Sequence, residues 1–317
     1  MDPQTALVLA IQLLALFSIA GALLLYLLCK VRATRPELTE LQHGTVLITS
    51  ADTALGLQLC THLANRGCRV FAGMKDAVDS LPAKLLRGWM KMKESSDEPI
   101  QGSIVPMQLD VTREDVLRET TEAMGAHMNA GERGIMAVIN TAGTVYRGRI
   151  ENQDVLQWET MLKTNILGSL RVAKAFLGLL RPTRGRLIYL GAGNNSGDGL
   201  VAFTASRIAV ESCAEELRKE LQPYGISVIA LDTSGVPAEA LYRAPTPYNI
   251  TDGEGSPTQY SAEVLTSSAL SVIEQALWDP RPHERYELAV RNSKFNLHLP
   301  CRSSFHFRPD SKTIQRV

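Results

Sequence analysis

The residues best suited to chemistry lie in the run Gly191-Ala-Gly-Asn-Asn-Ser-Gly-Asp-Gly-Leu-Val-Ala-Phe-Thr-Ala-Ser-Arg207. This glycine-rich stretch follows the apolar segment Arg186–Leu190 and opens a helical pattern over Ile208–Leu221. Strand, polar loop, then helix is where α/β proteins place ligands. A second such turn, Thr49-Ser-Ala-Asp-Thr-Ala-Leu-Gly56, presents a helix N-terminus, which attracts anions. Lys75 could meet a phosphate or stand as a solvated charge, and Arg207 could grip hydroxyls or close a salt bridge at a helix start. Hydroxyls able to move a proton are carried by Tyr189, Ser196, Tyr242, Tyr248 and Tyr260, although a loop tyrosine more often serves packing. The six histidines (His43, His62, His127, His283, His298, His306) pair with no nucleophile and show no metal spacing. The cysteines (Cys29, Cys60, Cys68, Cys213, Cys301) are equally scattered, so no metal site is expected. Cys60, Cys68 and Cys213 read as buried thiols in a reducing compartment.

Positioning these residues requires an ordered scaffold, and the hydrophobic pattern supplies one. Apolar strand-like runs at Thr45–Thr49, Arg69–Gly73, Ile104–Leu109, Ile135–Asn140, Arg186–Leu190 and Ile226–Asp232 alternate with helical patterns. The helices fall at Gly56–Arg66, Val116–Met128, Leu156–Leu180 and Ile208–Leu221. Alternation of this kind implies an α/β fold, a doubly wound parallel sheet covered on both faces. Pro82–Gln101 reads as a charged surface excursion. Pro237–Pro257 is the longest stretch without a period, and loops of that length are commonly functional. Helical periodicity returns at Ala262–Leu277.

The 317 residues, 45% of them hydrophobic, suffice for one α/β core and an appendage. Formal net charge is zero and there is no basic block, which argues against nucleic acid as a partner. Ala6–Leu28 is apolar except at Gln12 and Ser18, long enough to span about 30 Å of hydrocarbon. An acidic rather than basic start favours an uncleaved transmembrane anchor over a signal peptide. Lys30, Arg32 and Arg35 follow it, so the positive-inside rule places the remaining chain in the cytosol. The expected organisation is an anchor at 1–30, a connector at 31–44, one domain at 45–300 and a tail at 301–317. The sequons at Asn194 and Asn249 would matter only in a lumen.

From Thr45 to Val290 the chain resembles the short-chain dehydrogenase/reductases, on several strings in order. These are the first turn ending at Gly56, Leu109-Asp-Val-Thr112, Ile139-Asn-Thr-Ala-Gly143, Lys163-Thr-Asn-Ile-Leu-Gly168, the Gly191–Arg207 segment and Ser234-Gly235. The resemblance implies a single Rossmann-type domain holding NAD or NADP. It places cofactor contacts at Thr49, Ser50, Ala54, Leu55, Gly56, Lys75, Asp110, Val111, Asn140, Ala142, Gly143, Arg207 and Gly235. Catalytic positions fall at Asn165, Ala192, Phe203 and Arg207. Asn165 matches the asparagine that carries a proton-relay water in the family.

The resemblance also exposes departures. The family's first turn reads Thr-Gly-x-x-x-Gly-x-Gly; here only Gly56 remains, with Ser50 and Ala54 replacing the other glycines. Ser50 would cost about 1–2 kcal/mol if that turn requires a left-handed backbone. Phe203 stands for the family tyrosine, Arg207 for its lysine, and Gly191 or Ala192 for its serine. Phenylalanine has no proton to give, and general acid–base help is worth about 10²–10⁴-fold. Gly73-Met-Lys75 lacks the acidic residue that would favour NAD at the end of the second strand.

Asp52, Val70-Phe-Ala-Gly73 and Pro280-Arg-Pro-His-Glu-Arg-Tyr286 look like the retinol and hydroxysteroid dehydrogenases, with hydroxybutyrate dehydrogenases nearby. The implied role is a protein of the endoplasmic reticulum membrane, facing the cytosol, that binds or regulates in a lipid, steroid or retinoid pathway without the usual catalysis. Two further readings stand beside it. One is an active NAD(P)-dependent oxidoreductase on a steroid, sterol or retinoid with a rebuilt proton relay. The other is a structural partner pairing with itself or an active relative through Leu156–Leu180 and Ile208–Leu221, helices that form the dimer face in the family.

Overall fold

Short, almost uninterrupted apolar runs form the strands, as expected where both faces of a parallel sheet are covered. Thr45–Ile48 (β1), Ala137–Asn140 (β4) and four of the five residues of Arg186–Leu190 (β5) are buried. Arg69–Met74 (β2), Ser103–Gln108 (β3), Ser227–Asp232 (β6) and the edge strand Arg285–Glu287 (β9) complete the main sheet. Its order is β3-β2-β1-β4-β5-β6-β9, and every neighbouring pair runs parallel. Leu47 faces Phe71 on one side and Val138 on the other, which fixes the central register. The strand order reverses between β1 and β4, and the carboxyl ends there border the crevice in which such sheets bind ligands. This is a Rossmann-type sheet of seven strands. A separate antiparallel pair, Thr246–Tyr248 (β7) and Gln259–Ser261 (β8), lies outside it.

The computed structural model describes residues 44–95, 101–129, 131–193, 198–248 and 259–288, with residues 4, 12, 14–24 and 26 of the N-terminal segment. The chain divides into Met1–Gln42 and His43–Val317. Residues 14–24 of the first unit are helical. The expected anchor over residues 6–28 and its basic flank lie largely outside the described residues. Among the described residues no helix is long and apolar enough to cross a membrane. Both sequons, Ser196 and the C-terminal tail also fall outside them.

Local chemistry starts the helices. Thr53 caps Ala54–Asn65 (α1) by accepting the Gly56 N–H, and Gly67 ends the element at a positive φ of 88°. Ser80 caps Leu81–Glu94 (α2), the helix within the charged excursion. Glu114 and Asp115 sit favourably in the first turn of Glu114–Ala126 (α3). The pattern over Leu156–Leu180 is not one continuous α-helix. Val155–Met161 (α4) passes through a π-helical turn, Leu162–Leu167, into Gly168–Leu180 (α5). Such turns mark sites where the ladder yields to side-chain demands, and this one contains Asn165.

Val201–Leu221 (α6) follows β5, and Ser267–Trp278 (α8) returns the chain toward β9. Pro237–Pro257 is not wholly irregular. It contains Ala238–Tyr242 (α7) and strand β7. Strand β9 had no visible signal, because three residues, of which only Tyr286 is buried, carry too little periodicity. Cys60 and Cys68 are buried thiols, pushed to high pKa by burial, whereas Cys213 is only half-buried.

Candidate functional site

At the reversal point the strand ends enclose a cleft of about 270 Å³. The end of β1 supplies Thr49, Ser50, Asp52 and Thr53, and the region beyond β2 and β3 supplies Lys75 and Leu109–Thr112. The end of β4 supplies Ala142, Gly143, Thr144 and Tyr146; Tyr242 and Ala244 close the far side. Hydrogen bonds lock the frame across the reversal. Thr49 Oγ1 donates to Asn140 Oδ1 (2.8 Å) and accepts the Ala142 N–H (3.2 Å), while Asn140 Nδ2 donates to Ser169 Oγ (2.8 Å). Asn140 therefore holds β1, β4 and α5 together without lining the cleft.

The first turn is shaped by its own side chains. Ser50 Oγ donates to Asp52 Oδ1 at 2.6 Å, and the Ser50 N–H donates to Thr141 Oγ1 at 3.2 Å. Among the described residues only Arg184 departs from negative φ without being glycine, so Ser50 carries no left-handed strain and the expected penalty does not arise. Gly56 has a steric reason to be glycine. A Cβ there would lie 2.0 Å from the Ser50 carbonyl oxygen, so α1 could not sit so close to the turn. Ala54 and Leu55 are buried behind the turn rather than lining the cleft.

At the β2–β3 side, burial works to raise the Asp110 carboxyl. Hydrogen bonds from the Thr112 hydroxyl and amide outweigh it, with Lys75 and Arg113 assisting, and hold Asp110 below the usual carboxylate range. Lys75 thus shares the field of Asp110 at the cleft rim. A cation beside a carboxylate and several hydroxyls suits a sugar or phosphate edge.

On the β4–β6 side the cleft gives way to packed apolar matter. Phe203 is 2% exposed and clusters with Met161, Leu200 and Ala238, flanked by Val145, Trp158 and Tyr242. Its ring meets the Tyr242 ring edge-on, with centroids 6.1 Å apart. Arg207, one helical turn on, is 3% exposed; its guanidinium donates to the Leu190 carbonyl, and its Nε finds no partner among the described residues. The Ala192 N–H donates to Glu211 Oε1 at 3.0 Å. Burial raises the Glu211 carboxyl above its ordinary value, against the pull of Arg285 and that amide. Asn165 is fully engaged: Nδ2 donates to the Thr144 carbonyl (3.0 Å) and Ser206 Oγ (2.9 Å), and Oδ1 accepts the Thr144 N–H (2.8 Å).

Of the sequence-derived cofactor positions, Thr49, Ser50, Lys75, Asp110, Val111, Ala142 and Gly143 meet at the cleft. Ala54, Leu55, Gly56, Asn140, Arg207 and the exposed Gly235 do not line it. None of Asn165, Ala192, Phe203 and Arg207 lines it either. Thr144, Tyr146, Thr160 and Thr164 join it without a motif to announce them, and Asp52 joins from within the first turn. Tyr189 is a core residue, its hydroxyl weakly donating to the Ser169 carbonyl at 3.4 Å.

The structure allows a test of whether a dinucleotide fits. In such folds the two nucleotide halves straddle the reversal, with the pyrophosphate at the N-terminus of the first helix. The β1–β3 side of the cleft carries hydroxyls and charges that suit an adenosine moiety. On the other side the Tyr242 ring lies against Gly143. The Ala54 N–H at the start of α1 donates to the Arg243 carbonyl at 2.8 Å, and the Asp52 carboxylate stands in the same turn. In the folded arrangement described, the Arg243 carbonyl and the Tyr242 ring occupy room that an intact dinucleotide would need.

Comparison with known proteins accords with this architecture. The chain is 28% identical over 202 residues to the mitochondrial D-beta-hydroxybutyrate dehydrogenase of Bos taurus, covering 62% of this chain and 56% of that protein. It is 28% identical over 230 residues to estradiol 17-beta-dehydrogenase 2 of Mus musculus, covering 70% and 55%. The chain thus spans about half the length of these curated relatives. Among solved structures it resembles in fold a gluconate 5-dehydrogenase from Burkholderia cenocepacia J2315 in complex with NADP and tartrate. The TM-score is 0.53 at 18% identity, covering 62% of this chain and 73% of that one. The family model described as short chain dehydrogenase matches residues 44–245, well over half the chain, and this protein belongs to that family.

Proposed function

We propose that this chain is a binding or regulatory member of the short-chain dehydrogenase family, placed in a lipid, steroid or retinoid pathway, that does not carry out the usual hydride transfer. The observation that carries the reading is Phe203. It occupies the start of α6, sealed in an apolar cluster, where the family chemistry needs a phenol that moves a proton. Ala192 offers only its backbone there, already given to Glu211, and Arg207 faces the end of β5. The pathway class is supported by the hydroxysteroid and hydroxybutyrate dehydrogenases among its relatives, and by the apolar N-terminal run that suits a protein working at a membrane.

The test is turnover by the purified native chain with NADH and NADPH against a panel of small steroids and retinoids. None is expected. The combined changes Ala192→Ser, Phe203→Tyr and Arg207→Lys should act far from additively, because such groups work as a unit. Robust cofactor-dependent turnover by the native chain would overturn the reading. A second reading has one observation in its favour. Burial raises the Tyr242 phenol above its ordinary value against the pull of Arg207, and its hydroxyl has no hydrogen-bond partner among the described residues, which makes it the candidate for a rebuilt relay. Native turnover abolished by Tyr242→Phe would establish that alternative.

A further inference from the structure

The segment after β6 does more than border the cleft. Ala238 inserts into the apolar cluster around Phe203, and the Tyr242 ring lies flush against the strand end at Gly143. A methyl added at Gly143 would sit 2.5 Å from the Tyr242 ring and 2.9 Å from its hydroxyl oxygen. That oxygen is buried and finds no hydrogen-bond partner among the described residues. One residue later, the Arg243 carbonyl accepts the Ala54 N–H at 2.8 Å, the first amide of α1. Arg243 is itself held from outside, its guanidinium donating to the Glu263 carbonyl at 2.8 Å. Helix α7 is also anchored at its start, where Glu239 pairs with Arg147 at 2.6 Å.

These contacts occupy distinct places. Helix N-terminal amides are the natural anion site of this architecture, and a carbonyl oxygen now fills one of them. The strand end at Gly143, on the far side of the reversal from Lys75 and Asp110, is covered by an aromatic ring. A buried hydroxyl without a partner has lost its water and gained nothing in return, so the packed arrangement holds a group that would gain by leaving. Resting on the reading of this cleft as a nucleotide site, we propose that Ala238–Arg243 is a built-in plug. It mimics a ligand at the pyrophosphate and second-nucleotide places, leaves the adenosine half open, and must swing out before a dinucleotide enters.

Two readouts on the full-length chain test this, one of them independent of any ligand. In Tyr242→Gly the ring that seats the segment is gone, so amide exchange at Ala54 should quicken relative to the native chain. NADH and NADPH, titrated by fluorescence, should bind the variant at least about tenfold more tightly, a gain of about 1.4 kcal/mol. AMP, which needs only the open half, should bind both proteins within about twofold of each other. Tyr242→Phe keeps the ring and should keep the block, so loss of the hydroxyl alone should not open the site. Unchanged Ala54 exchange, or equal NADH affinity for the native chain and Tyr242→Gly while AMP binds both, overturns the plug and leaves the nucleotide site standing. AMP that binds neither protein sinks the nucleotide reading, and the plug with it.

Discussion

A benzyl group sealed among Met161, Leu200 and Ala238 stabilises the fold through the area it removes from water and through close packing. Phe203→Ala should therefore destabilise the protein by about 3–5 kcal/mol, as other large-to-small core changes do. Phe203→Tyr is the more telling variant. It would thrust a hydroxyl into an apolar cluster whose neighbouring Tyr242 hydroxyl already lacks a partner among the described residues. An unpaired buried hydroxyl costs about 1–3 kcal/mol, so Tyr at this position should lower the denaturation midpoint although it adds only one atom. Chemical denaturation of the two variants against the native chain measures both. A Phe203→Tyr protein as stable as the native one would show that this position still opens onto a polar site, against the view that it has become core.

Where β5 and β6 end, α6 lays the Glu211 carboxylate against Gly191 and accepts the Ala192 N–H, with Arg285 of β9 at 3.5 Å. Burial raises the Glu211 pKa, so the folded state holds that proton more tightly than the unfolded chain does. The sign follows: between the ordinary glutamate pKa and the raised folded value, native stability falls as pH rises. Glu211→Gln cannot ionise and loses this dependence. Its melting temperature should gain on that of the native chain as pH rises from the ordinary glutamate value, about 4.3, through the raised folded value. A difference that shrinks over that range would mean that Arg285 and the Ala192 amide outweigh burial.

The alternation of strands and helices was legible because a buried parallel sheet writes continuous apolar runs into the chain, and Gly56 was legible because no other residue fits under the Ser50 carbonyl. Glu211 was not, and Tyr242 stood only as one of five candidate hydroxyls, with nothing to set it apart. Glu211 looks like any solvated charge along α6 until β9 brings Arg285 beside it. Tyr242 lies in a stretch whose short helix has too few turns to show a period. Nor does the spacing of Asn165 reveal that its amide is spent on Thr144 and Ser206, since that depends on the π-helical turn.

At the scale of the molecule, α6 presents two unlike faces. Phe203, Arg207 and Val210 are buried inward, while Val201 and Ile208 look outward, 61% and 52% exposed. Val155 and Leu156 on α4, and Leu162 and Leu167 on the π-helical turn, are exposed as well, on elements that pack beside α6. Six large aliphatic side chains on adjoining elements are thus left exposed to water. We expect a second copy to cover this face in a two-fold pairing, for which a stable interface of about 1,200–2,000 Å² is typical. Sedimentation of the full chain in mild detergent should give a dimer at micromolar concentration. Leu156→Glu combined with Ile208→Glu should convert it to monomer. Because each side chain faces outward, neither change should disturb the fold by more than about 0.5 kcal/mol per site, which thermal unfolding of the monomeric variant would check. A native chain already monomeric at tens of micromolar, or a dimer that survives both charges, would remove the pairing. If the dimer holds, it clamps the outer face of the helix whose inner face carries Phe203, so pairing should also slow any release of Tyr242 from the cleft. Faster amide exchange at Ala54 in the monomeric double variant than in the dimer would register that coupling.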